Sequence, residues 1–441
     1  MDGKPTRALA SALALALIAF ACAAPAGIAG RTAQAGAAPN ALVGGINLSG
    51  AANRPLQAAD QEVRQAKALG ARIVRIEVPW SALEGGGPGQ LEVNGLAYTD
   101  RVVNDAAADG IGVIILVDST PCWASSAPES VRGGCAPSHR RAASSWPPSD
   151  PATAARFFAF LAQRYGSRLT ALEVWNEPDQ SNELYFAGPE KAVHYAALLR
   201  AAYTAIKSVA PSVQVLGGSL VGSNGVFLRA LYAAGIKGYY DGLAVHFYTL
   251  TLAALRQFRQ VQLANGDPSR LWLDEFGFPT CWPKQSAEQE IPCVTRSVQA
   301  ADFTSIFHSI SQQPYVAAVL PFKLADSTNE DFGVLSATGA RKPSFAALRG
   351  VFASPFGSPP PVTLKLRRRG QRVLATGSGP VGDIMQLEAL RGQTLRFRAT
   401  FTLERFNRYT LALPPVIGTH GLHVRVFGLW SGPRKAAQKS L

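Results

Sequence analysis

Two glutamates stand where apolar runs give way to turn-forming residues. One run ends Leu172-Glu173-Val174-Trp175-Asn176-Glu177-Pro178-Asp179 and the other Leu271-Trp272-Leu273-Asp274-Glu275-Phe276-Gly277. Hydrolysis of a glycosidic bond needs two carboxyl groups facing one link: one protonates the leaving oxygen, and the other attacks the sugar carbon or activates water. Taken singly, Glu177 or Glu275 reads as a solvated loop carboxylate, the common fate of Glu. Taken together, at the ends of two strands of one sheet, they read as a catalytic pair. Their separation decides the stereochemistry, about 5–5.5 Å for retention and about 6.5–9.5 Å for inversion.

Such a pair needs a scaffold that delivers several strand ends to one face. Short β-branched or apolar runs recur at 42–48, 72–78, 111–118, 169–175, 213–217, 241–247, 271–275 and 316–323. Helical spacing fills the intervals. Asp150 and Pro151 read as N-cap and first helical residue, and Phe157, Phe160, Leu161 and Tyr165 share a face until Gly166 stops the helix. Segments 192–210 and 300–311 behave alike. Eight strand–helix units in about 310 residues predict a (β/α)8 barrel, whose chemistry lies at the C-terminal strand ends. A doubly wound open sheet fits less well, because no Gly-rich phosphate-binding turn follows the first run, and Gly44-Gly45 alone is weak evidence for one. No cofactor is expected, and the cysteine spacing is not that of a zinc ribbon, so no metal is expected either.

Trp175-Asn176-Glu177-Pro178 and Glu275-Phe276-Gly277 resemble the retaining (β/α)8 glycoside hydrolases of clan A. The stretch 172–179 and the Trp123-Ala124 loop are most similar to glycoside hydrolase family 39 and its cellulase-like relatives. The resemblance spans roughly 42–351 and implies an O-glycosidase acting on a poly- or oligosaccharide by double displacement. It assigns Glu177 as acid/base, Glu275 as nucleophile and Asn176 as partner of the sugar 2-hydroxyl. Arg75 matches the clan arginine beside the nucleophile, although strand alternation also allows it to pair with Glu77. His246 and Tyr248 match a clan His-x-Tyr whose Tyr contacts the nucleophile. The eighth run departs from the clan: it has no Trp, so Phe322 would replace the sugar platform or Lys323 would enter the site as a cation. The rim aromatics Trp80, Trp123, Trp146 and Trp282 stack on sugar faces in one reading and anchor loops in the other. Two other classes compete with the hydrolase. One is a catalytically inactive carbohydrate-binding barrel of the cell envelope, and the other a Schiff-base lyase built on Lys323.

Lys4 and Arg7 precede an Ala/Leu-rich run and then Pro25 and Gly27, the order of a cleavable secretory signal within residues 1–30. Lipid attachment at Cys22 fits less well, because the third position before it lacks a bulky Leu-type residue. The mature protein is then secreted or held at the envelope, with no membrane span. Of 5 Cys, four remain after cleavage. Export favours disulfides, and nearest-neighbour pairing joins Cys122 to Cys135 and Cys281 to Cys293, on the two longest strand-to-helix loops.

The 441 residues carry 43 Lys plus Arg against 30 Asp plus Glu, a net +13. That charge is uneven. Residues 352–441 hold 14 basic and 3 acidic side chains, a net +11, and residues 31–351 hold 27 and 26, a net +1. The barrel domain (40–351) is thus near neutral. A Pro-rich linker (352–361) leads to a basic module (362–441) whose short alternating runs predict a small antiparallel, immunoglobulin-like β-sandwich. Its arginines would bind an acidic polysaccharide or the cell envelope, or else be solvated strand faces that block edge pairing. Nucleic-acid binding lacks the necessary aromatic interleaving. The chain is expected to be monomeric.

Overall fold

The computed structural model describes residues 42–48, 55–222, 224–248, 252–281, 291, 293–353, 361–370, 372–379, 384–403, 408–415, 420–428 and 436–441. The expected signal segment with Cys22, Trp282 and most of the linker lie outside these residues.

Eight strands, β1 (Val43–Asn47), β2 (Ile73–Glu77), β3 (Gly112–Val117), β4 (Leu169–Val174), β5 (Gln214–Leu220), β6 (Gly242–His246), β7 (Arg270–Phe276) and β8 (Val316–Pro321), form one closed parallel barrel. Each strand pairs with the next, and β8 closes on β1 through Val43↔Ala318 and Gly44↔Val319. Helices cover the outside, so the strands are buried on both faces. They therefore read in the sequence as continuous apolar runs. The helix Pro151–Tyr165 begins as expected: Asp150 Oδ1 accepts from Ala152 N at 2.9 Å, and Gly166 ends it with φ 51°. Its buried stripe includes Phe157, Phe158, Leu161 and Tyr165, leaving Phe160 half-exposed.

The barrel interior is layered. Ile73, Ile114, Ala171, Leu216, Ala244, Trp272 and Leu320 form an apolar plug. Side chains alternate along a strand with period two, so the residues two positions on face the same interior. From β2, β4, β6 and β7 these are Arg75, Glu173, His246 and Asp274, all buried. A polar layer thus rests directly on the plug, beneath the C-terminal mouth.

Two antiparallel sheets follow. One has the order β13 (Arg408–Leu413), β10 (Arg372–Ser378), β9 (Lys365–Arg369). The other has the order β12 (Thr394–Thr402), β11 (Ile384–Arg391), β14 (Leu422–Gly428), β15 (Ala437–Ser440). Val373, Ala375 and Leu413 of the first and Leu387, Ala389, Val424 and Val426 of the second share one apolar cluster, as a sandwich requires. The barrel's last helix, Pro343–Ala353, runs two residues past the expected boundary at Val351.

Candidate active site

At the end of β4 the chain leaves the sheet with two residues in left-handed backbone, Trp175 (φ 70°) and Glu177 (φ 44°), on either side of Asn176. Non-glycine residues pay roughly 1–2 kcal/mol for that conformation, and such strain clusters at functional sites. The surroundings impose it. Trp175 N donates to Val117 O at 2.9 Å, its ring nitrogen donates to Tyr185 O at 2.9 Å, and Tyr195 Oη donates to Val174 O at 2.8 Å. Glu177 is consequently folded back over the barrel mouth.

Glu177, His246 and Glu275 come together there, with one oxygen or nitrogen from each lying within 4.8 Å of the others. His246 Nδ1 is 2.5 Å from Glu177 Oε1 and 3.5 Å from Glu275 Oε2. Gln180 Nε2 donates to the other oxygen of Glu177. Glu275 accepts from Arg75 Nη1 at 2.6 Å and from Tyr248 Oη at 3.2 Å, so each of its oxygens meets a donor. Arg75 holds the layer beneath. Nε and Nη2 fork onto Glu173 at 2.7 and 3.0 Å, Nη1 also reaches Asn47 Oδ1 at 3.0 Å, and Nη2 reaches Asn176 Oδ1 at 3.4 Å. Among the described residues its ion pairs are with Glu173, Glu275 and Asp274, and none is with Glu77.

The electrostatics follow from this geometry. Burial works against the Arg75 cation, yet Glu173, Glu275 and Asp274 outweigh it and keep it firmly charged. Burial likewise opposes the His246 imidazolium, but Glu275, Glu177 and Asp274 hold its pKa up at about 9. Glu173, fully buried, stays below the usual carboxylate range because Arg75 more than offsets its desolvation. Asp274, equally buried, goes the other way: burial and then the Glu173 charge push it well above that range. No hydrogen-bond partner reaches either Asp274 oxygen and Arg75 Nε stands 3.5 Å away, so Asp274 is the member of the pair whose neutral form is favoured. At the mouth, the Asp118 charge raises exposed Glu77 to about 8, and burial raises Asp118 to about 6. The trios Glu173/His246/Asp274 and Glu177/His246/Glu275 have the spacing of cation ligands. Arg75 already supplies the positive charge among three of these carboxyls.

The remaining expected residues divide. Trp80 is core: it is 1% exposed, stacked on Phe157 at 5.9 Å and edge-on to Trp123 at 5.8 Å, so its face is not open to a sugar. Trp123 is half-buried, its ring nitrogen donating to Glu84 O at 2.7 Å. Trp146 lies against Gly188, where a Cβ would fall 2.7 Å from the ring. Phe322 is half-buried, edge-on to Phe332 at 5.7 Å, and its peptide bond to Lys323 is cis. Lys323 is buried, ion-paired with Glu330 and 3.2 Å from Ser327 Oγ. That pairing leaves it a poor amine nucleophile for a Schiff base, which needs a neutral, desolvated lysine. Both expected disulfides are present, Cys122–Cys135 and Cys281–Cys293, with Cα–Cα separations of 5.7 and 5.1 Å. Asn47, Glu173, Asp274, Gln180, Glu77 and Asp118 were not singled out as site residues. Asn47, the last residue of β1, is marked in the sequence only as a polar residue near the end of the first apolar run.

The family model for cellulase, glycosyl hydrolase family 5, matches residues 38–271, more than half of the chain. The chain belongs to glycosyl hydrolase family 5. The matched stretch contains Arg75, Asn176, Glu177 and His246 and ends four residues before Glu275. No curated protein matches the sequence. Solved glycoside hydrolases share the family 5 barrel at low identity. A GH39 β-xylosidase from Caulobacter crescentus superposes with TM-score 0.53 at 17% identity, over 85% of this chain and 93% of that one. The GH39 enzyme from Xanthomonas axonopodis pv. citri gives 0.52 at 14%, over 87% and 93%. GH5_18 from Streptomyces cattleya, in complex with GlcNAc, gives 0.52 at 15%, over 73% and 83%. Membership of family 5 makes the barrel that of a glycoside hydrolase, and its architecture is common to both families. Among the described residues no helix is long and apolar enough to cross a membrane.

Proposed function

We propose that this protein is an exported, retaining O-glycoside hydrolase of poly- or oligosaccharides, with Glu177 as acid/base and Glu275 as nucleophile. The observation that carries the reading is the approach of Glu177 and Glu275 oxygens to within 4.8 Å at the ends of β4 and β7. An approach that close suits the short carboxyl separation of double displacement better than the wider gap of inversion. In the first half-reaction Glu275 attacks the anomeric carbon while Glu177 gives its proton to the departing glycosidic oxygen. In the second, Glu177 takes a proton from water, whose oxygen displaces Glu275 and restores both carboxyls. Arg75 and Tyr248 donate to Glu275 and so stabilise its negative charge before attack. Asn176, its Oδ1 engaged by Arg75, keeps its NH2 group to donate to the 2-hydroxyl. Trp123, Phe322 and Lys323 remain candidates for sugar contacts. Two disulfides support an oxidising destination.

A mechanism-based 2-deoxy-2-fluoroglycoside, screened as a panel of sugars, tests the assignment. Glu275 is expected to carry the label in a peptide map, and Glu275→Gln is expected to abolish labelling. Glu177→Gln should lower kcat at least about 10³-fold on substrates with poor leaving groups, and less on activated aryl glycosides that need no proton. Sugar binding without turnover on any glycan would instead identify an inactive binding barrel.

A further inference from the structure

The C-terminal module has two outer sheet faces, and its cations are spent very differently on them. On the four-stranded sheet two of the arginines share one buried carboxylate. Glu388, buried on β11, accepts from Arg398 Nε and Nη2 at 3.1 and 2.9 Å and from Arg425 Nε at 2.7 Å. On the three-stranded sheet no such acid exists. β9, β10 and β13 read KLRRR, RVLATGS and RYTLAL, without Asp or Glu. Val373 and Ala375 are buried, so residues 372, 374, 376 and 378 face away from the core, together with their cross-strand partners. The register sets Arg369 opposite Arg372, Arg367 opposite Leu374, Lys365 opposite Thr376 and Arg408 opposite Ser378. All five cations are exposed, and none has an ion pair among the described residues.

We propose that Lys365, Arg367, Arg369, Arg372 and Arg408 form a docking face for a carboxylated polysaccharide, a polymer of uronic acids. Like charges directly opposite on a strand pair destabilise it, and Arg369 against Arg372 is such a pair. An anion seated between them removes the repulsion. Protection of edge strands accounts for cations on β9 but not for Arg372, which lies on the central strand. Neighbouring strands are about 4.8 Å apart and alternate residues about 6.7 Å apart. The face is therefore a two-dimensional grid of four forked guanidiniums, each able to take a carboxylate bidentately, and one ammonium point charge at Lys365. Between the cations lie hydroxylated Thr376 and Thr410, small Ala412 and half-buried Leu374, which leave a low surface suited to a flat sugar chain. Tyr409, the aromatic of these strands, is buried, so there is no platform on which nucleic-acid bases would stack. This surface is separate from the catalytic reading, and binding by the intact chain tests it without turnover.

The experiment measures retention of the full-length protein on polygalacturonate-coupled and on uncharged cellulose resin, across a salt series. Expected is binding to polygalacturonate alone, with log K falling linearly against log salt. The triple variant Arg367→Gln, Arg369→Gln, Arg372→Gln should lose at least tenfold in affinity and flatten that slope by about 2, by analogy with counterion release from other polyanions. The triple variant Arg64→Gln, Arg141→Gln, Arg156→Gln removes equal charge from exposed barrel positions and should stay within twofold. Equal loss in both triples would mean that net charge alone drives binding and would overturn the proposal. So would equal retention on cellulose, or DNA held as tightly as polygalacturonate at matched salt. Should the first triple variant fail to fold, Arg372→Gln alone must weaken binding at least twofold, and unchanged binding there overturns the docking face.

Discussion

Glu173 and Asp274 are both sealed from water one layer below the cleft, yet they are shifted in opposite directions because only Glu173 takes the fork of Arg75. Arg75 forks onto Glu173 at 2.7 and 3.0 Å, whereas it stands 3.5 Å from Asp274. Removing one partner of a buried pair leaves the other charge uncompensated, at about 3–5 kcal/mol. Glu173→Gln is therefore expected to cost that much in urea unfolding at neutral pH. Asp274→Asn exchanges a neutral donor for a neutral donor of the same shape and should cost less than about 1 kcal/mol. Equal losses would show that Asp274 is ionised as well. The two tryptophans at the mouth make a second contrast. Trp80 is enclosed by Phe157 and Trp123, so Trp80→Ala should destabilise the fold by about 3–5 kcal/mol. The ring of half-exposed Trp123 is held by Glu84 O. If it contacts sugar, Trp123→Ala should raise KM with a smaller stability loss; an unchanged KM would make it a loop anchor only.

At the scale of elements, the eight barrel strands were legible to within a few residues because parallel strands buried on both faces leave uninterrupted apolar runs. The same property hid part of the site. Glu173 between Leu172 and Val174, and Asp274 between Leu273 and Glu275, look like interruptions in a run. Only the closed sheet, with the apolar plug fixing which residues point inward, brings them against Arg75 and His246. Glu177 and Glu275 stood out because they fall at run ends beside Pro178 and Gly277. β15 leaves no mark in the sequence for the opposite reason: Ala437–Ser440 has neither alternation nor β-branched residues, and its place is set by pairing with β14. The sequence suits Trp80 equally to rim or core, since position after a strand does not say which way a short helix turns its aromatic face, and the fold makes it core. The cysteines paired by proximity in the chain. The Cys122–Cys135 bridge closes a loop with a sequence separation of 13, for which chain entropy alone gives about 3 kcal/mol. Cys122→Ser with Cys135→Ser should lower the unfolding free energy by about that amount, and an unchanged Tm would mean that the loop is held by its packing instead.

For the whole molecule, the large positive charge and the pH response have separate origins. The excess is carried by Arg and Lys, which keep their charge through neutral pH, so the net +13 contributes little to how stability changes there. The groups that do titrate are in and around the barrel mouth. His246 rises from 6.5 to about 9, Glu77 from 4.5 to about 8 and Asp118 from 3.8 to about 6. A group whose folded pKa is raised contributes stability that is complete below its unfolded pKa and disappears as pH climbs through the folded one. All three therefore act in the same direction, Asp118 and Glu77 from about pH 4 upward and His246 between 6.5 and 9. Glu173, with its lowered pKa, acts oppositely and only in acid, where its contribution is lost as pH falls. Thermal unfolding should accordingly show a Tm maximum on the mildly acidic side and a steady fall towards pH 9. The His246 contribution to that fall is on the order of 3 kcal/mol. In His246→Asn the fall between pH 6.5 and 9 should become shallower while the acidic limb stays put. A wild-type Tm that is level from pH 6 to 9, or a His246→Asn variant with the wild-type slope, would mean that the imidazole is not held charged between Glu177 and Glu275.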